Sequence, residues 1–339
     1  QNIVWALDNN VNRTTNTRVI GGGWGEITFM DGLTFKTQAG LDIANVRDYM
    51  YWDTESGDGY GYGGLIEEVN STYATWNWQN VLNFTRTFNS VHNLTATAVQ
   101  EYTHSETEYM DGSVYELSDP FFSEHIISNT FGQKDVGGWK SENGLASYMF
   151  RANYNYDSKY YIGASIRYDG LSKLPKDTRW GTFWGASAAW RLSREKFWTE
   201  APVNEWFNDL RLRASYATIG NSALGSDYPY LGTYGAKLVG PMAGIAWNVM
   251  GNNNLKWETT ETFDIGLDGA LFNNRMTFEI AYWQKNSKDL VLRVPTPPTM
   301  GIPNNYYYDN IGKIKNSGFE LTVGGTIINT KDWNWHSDI

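Results

Sequence analysis

Between Tyr148 and Asp169 the side chains alternate, apolar then polar, in two arms of about ten residues joined by a short polar turn. On one face stand Tyr148, Phe150, Ala152, Tyr154 and Tyr156; on the other stand Met149, Arg151, Asn153 and Asn155. After Asp157-Ser158-Lys159 the alternation resumes, with Tyr160, Ile162, Ala164, Ile166 and Tyr168 against Tyr161, Gly163, Ser165, Arg167 and Asp169. An extended backbone sends successive side chains to opposite sides, so this period predicts a β-hairpin with one greasy and one wet face. Arms of about ten residues suit a tilted strand crossing a bilayer, whereas soluble strands average about 5–6. Both arms carry Tyr at the turn end, where an aromatic girdle would sit. Phe150, Ile162 and Ile166 are therefore expected against lipid, and Arg151, Asn153 and Arg167 toward a lumen.

The same period recurs along the chain. It predicts about twelve strands, near 22–29, 33–47, 73–88, 92–104, 143–156, 160–170, 180–192, 209–220, 257–272, 275–288, 316–329 and from Trp333 onward. Short turns fall near Met30-Asp31-Gly32, Asn89 to His92, Asp157 to Lys159, Phe272 to Arg275 and Asn329 to Asp332. Between them lie long segments at 48–72, 105–142, 221–256 and 289–315. Short connections on one side and long ones on the other characterise outer-membrane barrels. The expected fold is thus all-β, a membrane-spanning antiparallel up-and-down β-barrel. A soluble β-sandwich or propeller is the alternative that also alternates.

Composition narrows the rest. Aromatic residues reach 16% of 339 residues, with 16 Trp, 22 Tyr and 15 Phe, which excludes a disordered chain. Cysteine is absent, so neither a disulfide framework nor a Cys-ligated metal is available. A net charge of -10 argues against nucleic acid as a partner. No apolar run approaches the ~18 residues of a spanning helix. Acidic residues are concentrated, nine against two lysines in 101–143 and six against one arginine in 46–70. Both stretches are expected to be long outward loops, and Tyr51, Trp52, Tyr109, Tyr115, Phe121 and Phe122 within them suit a partner interface with an apolar centre and a polar rim.

No catalytic, metal or cofactor site is expected. Asp264 and Asp268 share a strand face about 13 Å apart along the backbone, and they read as lumen charges in a wet wall rather than the acid pair of a glycoside hydrolase. The four histidines, 92, 104, 125 and 336, lack metal-ligand spacing. Arg151, Arg167, Arg211 and Arg213 are expected to face the lumen and to pair with carboxylates. The expected substrate or lid contacts are aromatic rings in the long segments: Tyr60, Tyr62, Tyr228, Tyr230, Trp247, Tyr306, Tyr307 and Tyr308. Flat rings there suit a sugar face, a peptide or a covering protein.

Specific blocks go further than pattern. NNNLKWETTETFDIGLDGALFNNR (252–275) is followed by YWQKNSKDL (282–290), PTPPTMG (295–301) and NIGKIKNSGFE (310–320). SIRYDGLSKLPKDTRWGTFWGASAAWRLSREKF (165–197) and LRLRASYATIGN (210–221) precede them. In this order the chain resembles the SusC/RagA-type branch of the TonB-dependent outer-membrane transporters, densely over 145–338 and weakly over 20–144. The resemblance implies a barrel of about 22 strands, plugged by an N-terminal domain, in the outer membrane of a Gram-negative bacterium. It also implies energy from TonB, a SusD-type surface lipoprotein as lid, outer-membrane lipid around the wall, and import of an oligosaccharide or another bulky nutrient such as a peptide or metal chelate. Residues 1–339 then read as a partial barrel without plug domain, TonB-contact segment or terminal strands. Within the blocks, Trp257 is expected at the outer interface, Asn273-Asn274 in a positive-φ turn, and Gly318 where a strand bends at the rim. A soluble carbohydrate-active enzyme or lectin is the remaining alternative.

Overall fold

The computed structural model describes residues 3–55, 57–118 and 126–339. Its strands are β1 (Val11–Met30), β2 (Leu33–Trp52), β3 (Leu65–Phe88), β4 (His92–Tyr115), β5 (Lys134–Tyr156), β6 (Tyr160–Leu171), β7 (Trp180–Arg191), β8 (Phe207–Asn221), β9 (Thr233–Val239), β10 (Met242–Val249), β11 (Glu258–Leu271), β12 (Met276–Pro295), β13 (Tyr306–Asn329) and β14 (Asn334–Asp338). Twelve of them form one sheet in chain order, β8 being followed by β11. β9 and β10 form a separate antiparallel hairpin. The twelve expected strands correspond to these twelve, one for one.

Two corrections concern length and loops. Several strands run far past the expected arms, β3, β4 and β13 reaching 24 residues. The acidic stretches are therefore largely strand rather than loop: Glu101, Glu106, Glu108 and Asp111 lie on β4, Asp135 and Glu142 on β5, Asp48 on β2, and Glu67 and Glu68 on β3. Alternation in these extensions is polar on both sides, because neither face meets hydrocarbon, so the greasy-and-wet signal fades while the ladder continues. Asp119, Phe121, Phe122, Glu124 and His125 lie outside the described residues. The second correction is the β9–β10 hairpin, within 221–256, where the pattern predicts one long connection without strands.

The chain divides into two compact units. The first comprises 1–24, 38–78 and 102–144. Its buried cluster is Tyr51, Ile66 and Val114, with Tyr49, Leu117 and Ile127 against it. A short helix, α1 (Ile3–Asn9), is tied down where the Trp5 indole N–H donates to Asp53 at 2.8 Å.

The second unit comprises 25–37, 79–101 and 145–339. Register fixes its faces, because directly paired residues share a side. Phe150 opposes Ile166, Ala152 opposes Ala164 and Tyr154 opposes Ile162. The row continues through Ile166–Trp184, Ala164–Ala186 and Ile162–Ala188, then through Ala188–Ala214, Ala214–Ile265 and Ile265–Tyr282 to Tyr282–Phe319. This apolar face is open, Ile162 being 58% and Phe319 82% exposed. On a soluble protein such a continuous surface would be a liability; on a membrane wall it is the lipid side. The expected orientation of Phe150, Ile162 and Ile166 opposite Arg151, Asn153 and Arg167 is what the register gives.

Aromatic rings mark both margins of the apolar face. At the short-turn end Tyr160 stacks on Tyr156 and Trp190, each with centroids 6.3 Å apart, and Trp206 stacks on Phe272 at 6.5 Å. At the other end Tyr168 stacks on Trp180 at 4.7 Å. Residues 160 to 168 rise about 27 Å along the strand, or about 21 Å vertically at a tilt near 40°, close to the apolar height of such walls. The turns are tight where expected: Asp157 and Ser158 have φ of 50° and 54°, and Asn273 and Asn274 have 56° and 62°. Asn and Asp bear that left-handed geometry better than most residues.

Trp257 corrects another expectation. It is only 7% exposed, in a buried cluster with Leu171, Leu174, Phe183, Leu224 and Leu255, and its indole N–H donates to the Arg179 carbonyl at 2.8 Å. The ring closes the base of the long connections instead of facing an interface. Gly318 is likewise no rim hinge: it pairs with Trp283 within the β12–β13 ladder, and a Cβ there would come 3.1 Å from the indole.

Candidate functional site

The opposite face of the second unit is polar and holds its charge in pairs. Arg167 Nε lies 2.7 Å from Asp169 Oδ1, with Nη2 donating to Ser147 Oγ at 2.9 Å. Arg191 holds Asp209 through two nitrogens at 2.7 and 2.8 Å. Arg211 Nη2 donates to Asp268 Oδ2 at 2.6 Å. Arg213 reaches three carboxylates: Asp268 at 3.2 Å, and Asp264 and Glu279 in closer contact. Its reach across two strands depends on its register partner Gly266, where a Cβ would sit 2.8 Å from the guanidinium. The expected pairing of Arg167, Arg211 and Arg213 is thus with carboxylates of the wall itself. Arg151 has no ion-pair partner among the described residues.

Asp264 and Asp268 are bridged by the single Arg213 guanidinium, a wall ion pair rather than two carboxyls flanking a sugar. Among the described residues one His/carboxylate group comes together, His104, Glu106 and Glu142, with ligand atoms within 4.8 Å of one another. Lys140 Nζ already stands 2.6 Å from Glu106 Oε1, so a cation is in place and the group is an ion-pair network. Two strands brought these residues together, a proximity that linear spacing does not show. His92 Nδ1 is 2.7 Å from the Tyr154 hydroxyl, and His336 Nε2 is 3.1 Å from Asp338.

Beside Arg213 the polar face sinks into a recess of about 410 Å³, lined by Asn93, Thr95, Asn153, Asn155, Tyr161, Gly163, Ser187, Ser215 and Asp264 together with Tyr154, Ile162, Ala188, Ala189 and Ala214. The sequence reading placed Asn153 and Asn155 on this face but did not single out the recess. Its signal is the run of small or amide residues at the polar positions of five neighbouring strands, β4 to β8, visible only once the register is known. Outside the membrane band, the connection after β7 is clamped by Glu195, which accepts from the Tyr160 hydroxyl and from the Trp190 indole at 3.1 Å. These donors hold the Glu195 carboxyl below the usual carboxylate range, Tyr160 contributing most.

The eight expected contact aromatics fall into separate groups. Tyr60, 71% exposed, and Tyr62 belong to the first unit, where Tyr62 lies 5.6 Å from the Tyr115 ring. In the second unit Tyr230 and Tyr308 pack against the Trp257 cluster and serve as its cover. Tyr306 meets Tyr308 edge-on at 5.6 Å, and the Arg293 guanidinium sits over both rings, 4.6 Å from Tyr306 and 5.9 Å from Tyr308. Trp247 lies 6.0 Å from Tyr234 on the β9–β10 hairpin, whose Ile245 is 81% exposed. Tyr228 is partly exposed and Tyr307 half-buried.

An antiparallel wall with a lipid-type face, aromatic margins, short turns on one side and a self-neutralised polar face defines a β-barrel membrane protein. The chain belongs to the TonB-dependent receptor-like β-barrel family, whose model matches residues 1–338. It is 31% identical over 307 residues to TonB-dependent receptor P39 of Formosa agariphila, covering 90% of this chain and 29% of that protein. It is 32% identical over 209 residues to TonB-dependent receptor SusC of Bacteroides thetaiotaomicron, covering 60% of this chain and 20% of that one. The solved RagAB peptide transporter superposes with a TM-score of 0.88 at 26% identity, covering 98% of this chain and 36% of that chain. The ferric citrate transporter FecA, at a TM-score of 0.54 and 10% identity over 93% of this chain and 40% of its own, shares the fold alone. The chain spans between a fifth and two fifths of the length of these relatives. Family membership does not favour the soluble enzyme or lectin alternative, and the relatives are named as receptors and transporters.

Proposed function

We propose that this chain is part of the wall of an outer-membrane importer in a Gram-negative bacterium. The parent takes up a bulky nutrient, in the first place an oligosaccharide, with energy from TonB and a SusD-type surface lipoprotein as lid. The observation that carries the reading is the two-sided wall, apolar and aromatic-edged outside, polar and internally paired inside. Such a surface binds and passes a solute; it breaks no bonds. The likeness to SusC and to the RagAB peptide transporter supports an importer, and the latter makes a peptide the second cargo. In this reading Tyr60, Tyr62, Tyr228, Trp247, Tyr306 and Tyr307 offer rings to cargo or lid, while Tyr230 and Tyr308 support them from the buried cluster.

The test uses the full-length parent in its own outer membrane. Cells with and without the parent gene, and with and without TonB, are compared for uptake of labelled neutral oligosaccharides and labelled peptides. Glycan uptake that needs both genes supports the reading. Peptide uptake alone moves the cargo to the second reading. Uptake that survives loss of TonB points to a passive pore and refutes the proposal. A photo-crosslinker at Tyr60 should capture a second outer-membrane lipoprotein.

A further inference from the structure

The apolar face of the second unit is not evenly greasy. Among its lipid-facing rings lies a groove of about 510 Å³ whose lining includes two amides, Asn80 and Gln100. We infer that this groove binds one class of membrane lipid, the N-acylated, hydroxyacyl anchor of lipopolysaccharide. An acyl chain lies along the wall, and its amide or hydroxyl is held by the Asn80–Gln100 pair, an assignment that rests on the outer-membrane reading above and concerns the lipid side rather than the cargo path.

Depth is the first observation. The β3–β4 and β5–β6 turns are tied at one height, where the Asp157 N–H donates to the Val91 carbonyl at 2.7 Å. Gln100 stands nine residues from Val91 and Tyr148 nine from Asp157, so the amide is level with Tyr148. Tyr148 pairs with Tyr168 in the aromatic margin remote from the short turns, which is the outer-leaflet side. Leu82 and Ala98 lie two residues closer to their turn than Asn80 and Gln100, as Phe150 and Ile166 do below Tyr148 and Tyr168. The groove therefore runs from the polar margin into the hydrocarbon band, amides above and apolar side chains below. Ala98 is the smallest residue of its lining and leaves the hollow. The second observation is unmet hydrogen bonding. Asn80 Nδ2 donates to Gln100 Oε1 at 2.6 Å. An amide beside hydrocarbon costs free energy unless its groups are bonded. Each primary amide has two N–H donors and a carbonyl, so this single bond leaves three N–H donors and the Asn80 carbonyl without a side-chain partner among the described residues. An ester-linked chain brings acceptors only, whereas an amide-linked or hydroxylated chain brings acceptor and donor together and answers both sides of the pair. Lipopolysaccharide, the glycolipid of the outer leaflet, has such chains in its anchor, at this depth. Neither Lys nor Arg lines the groove, so recognition falls on the acyl linkage rather than on a phosphate.

The experiment uses the full-length parent, extracted from its outer membrane in mild detergent. Purified lipid A and an ester-linked phosphatidylethanolamine are added as competing probes, and bound lipid is read by native mass spectrometry. Wild type should retain lipid A over phosphatidylethanolamine by about tenfold. Ala98→Phe fills the hollow, and the double variant Asn80→Leu with Gln100→Leu removes the amides at similar size. Each should lower lipid A retention about tenfold and leave phosphatidylethanolamine unchanged. Ile162→Phe, on the same face outside the groove, should retain lipid A like wild type. Every variant is checked for outer-membrane level and heat-modifiable gel mobility, and where Ala98→Phe fails to assemble the amide double variant decides. Equal retention of the two lipids by wild type overturns the assignment, and so does undiminished lipid A retention in the double variant. A dimer mass that is lost in Ala98→Phe would show a second protein chain in the groove and overturns it as well. If the parent is absent from the outer membrane, that reading fails and the groove assignment falls with it. If the parent is there and imports its cargo but shows no preference for lipid A, the groove assignment alone falls.

Discussion

The lipid-facing assignment makes a quantitative demand on depth. Tyr160 and Tyr168 mark the two aromatic margins, so Ala164 lies midway between them on β6, with Ile162 and Ile166 flanking it. One residue advances about 3.4 Å along the strand, so at a tilt near 40° Ile162 and Ile166 lie roughly 5 Å either side of the midplane. An arginine on the lipid face costs about 2–4 kcal/mol at mid-depth and about 0–1 kcal/mol near an interface. Ala164→Arg should therefore destabilise by about 2–4 kcal/mol, Ile162→Arg and Ile166→Arg by about 1–2.5, and Tyr160→Arg least of all as a charge effect. Ser165→Arg and Asn153→Arg, on the polar face, should cost little beyond local crowding. The assay is reversible denaturant unfolding of the full-length parent in lipid vesicles, followed by tryptophan fluorescence. A flat profile along 160, 162, 164 and 166 would refute the membrane assignment. A cost for Ser165→Arg equal to that for Ala164→Arg would show a register slip by one residue, which exchanges the faces.

Three further outcomes follow from the packing and the charges. Trp257→Ala should cost about 3–5 kcal/mol, the range for removing a buried ring, while Trp257→Phe loses mainly the bond to Arg179 and should cost about 1 kcal/mol in the same unfolding assay. Arg213→Met leaves Asp264 and Glu279 without a cation and frees one side of Asp268, so it should destabilise more than Arg211→Met, whose partner Asp268 keeps Arg213; the gap is expected to be about 1–2 kcal/mol after allowance for partial exposure. Glu195 is depressed in the folded state, so its clamp on Tyr160 and Trp190 is present above the ordinary carboxylate range and is lost as pH falls through the depressed value. Trp190 emission should then change on acidification below that range, and Glu195→Gln should abolish the acid-dependent step.

The sequence was most legible where two environments press on one strand. Between Tyr148 and Asp169 lipid selects Phe, Ile and Tyr on one side, water selects Arg, Asn and Ser on the other, and the period shows. Beyond the aromatic margin the outer side is wet as well. Glu106, Glu108 and Asp111 therefore read as loop, although they sit on β4. The β9–β10 hairpin was obscured for a different reason. Its turn, at Gly240 with φ 63°, is followed by Pro241 within a segment rich in glycine and alanine, where alternation has little contrast. Trp257 shows the limit of reading position from neighbours: its place after a long loop suggested an interface, but Leu171, Leu174 and Leu255, remote in sequence or set in loops, enclose it.

The polar face follows from the same physics one step further on. A wall that passes solute has to be wet, yet unpaired charges along it would trap or repel whatever travels there. Here Arg167, Arg191, Arg211 and Arg213 are each matched with carboxylates on the same or neighbouring strands. Pairing across β8, β11 and β12 also locks register between strands, because a slip of one residue would turn Arg213 away from Asp264 and Asp268 toward the apolar side. One set of ion pairs thus does two jobs: it fixes the ladder, and it neutralises most of the charge on the surface that cargo meets. Arg151, without an ion-pair partner among the described residues, stands beside the amide of Asn153 and the hydroxyl of Ser187 on the same face.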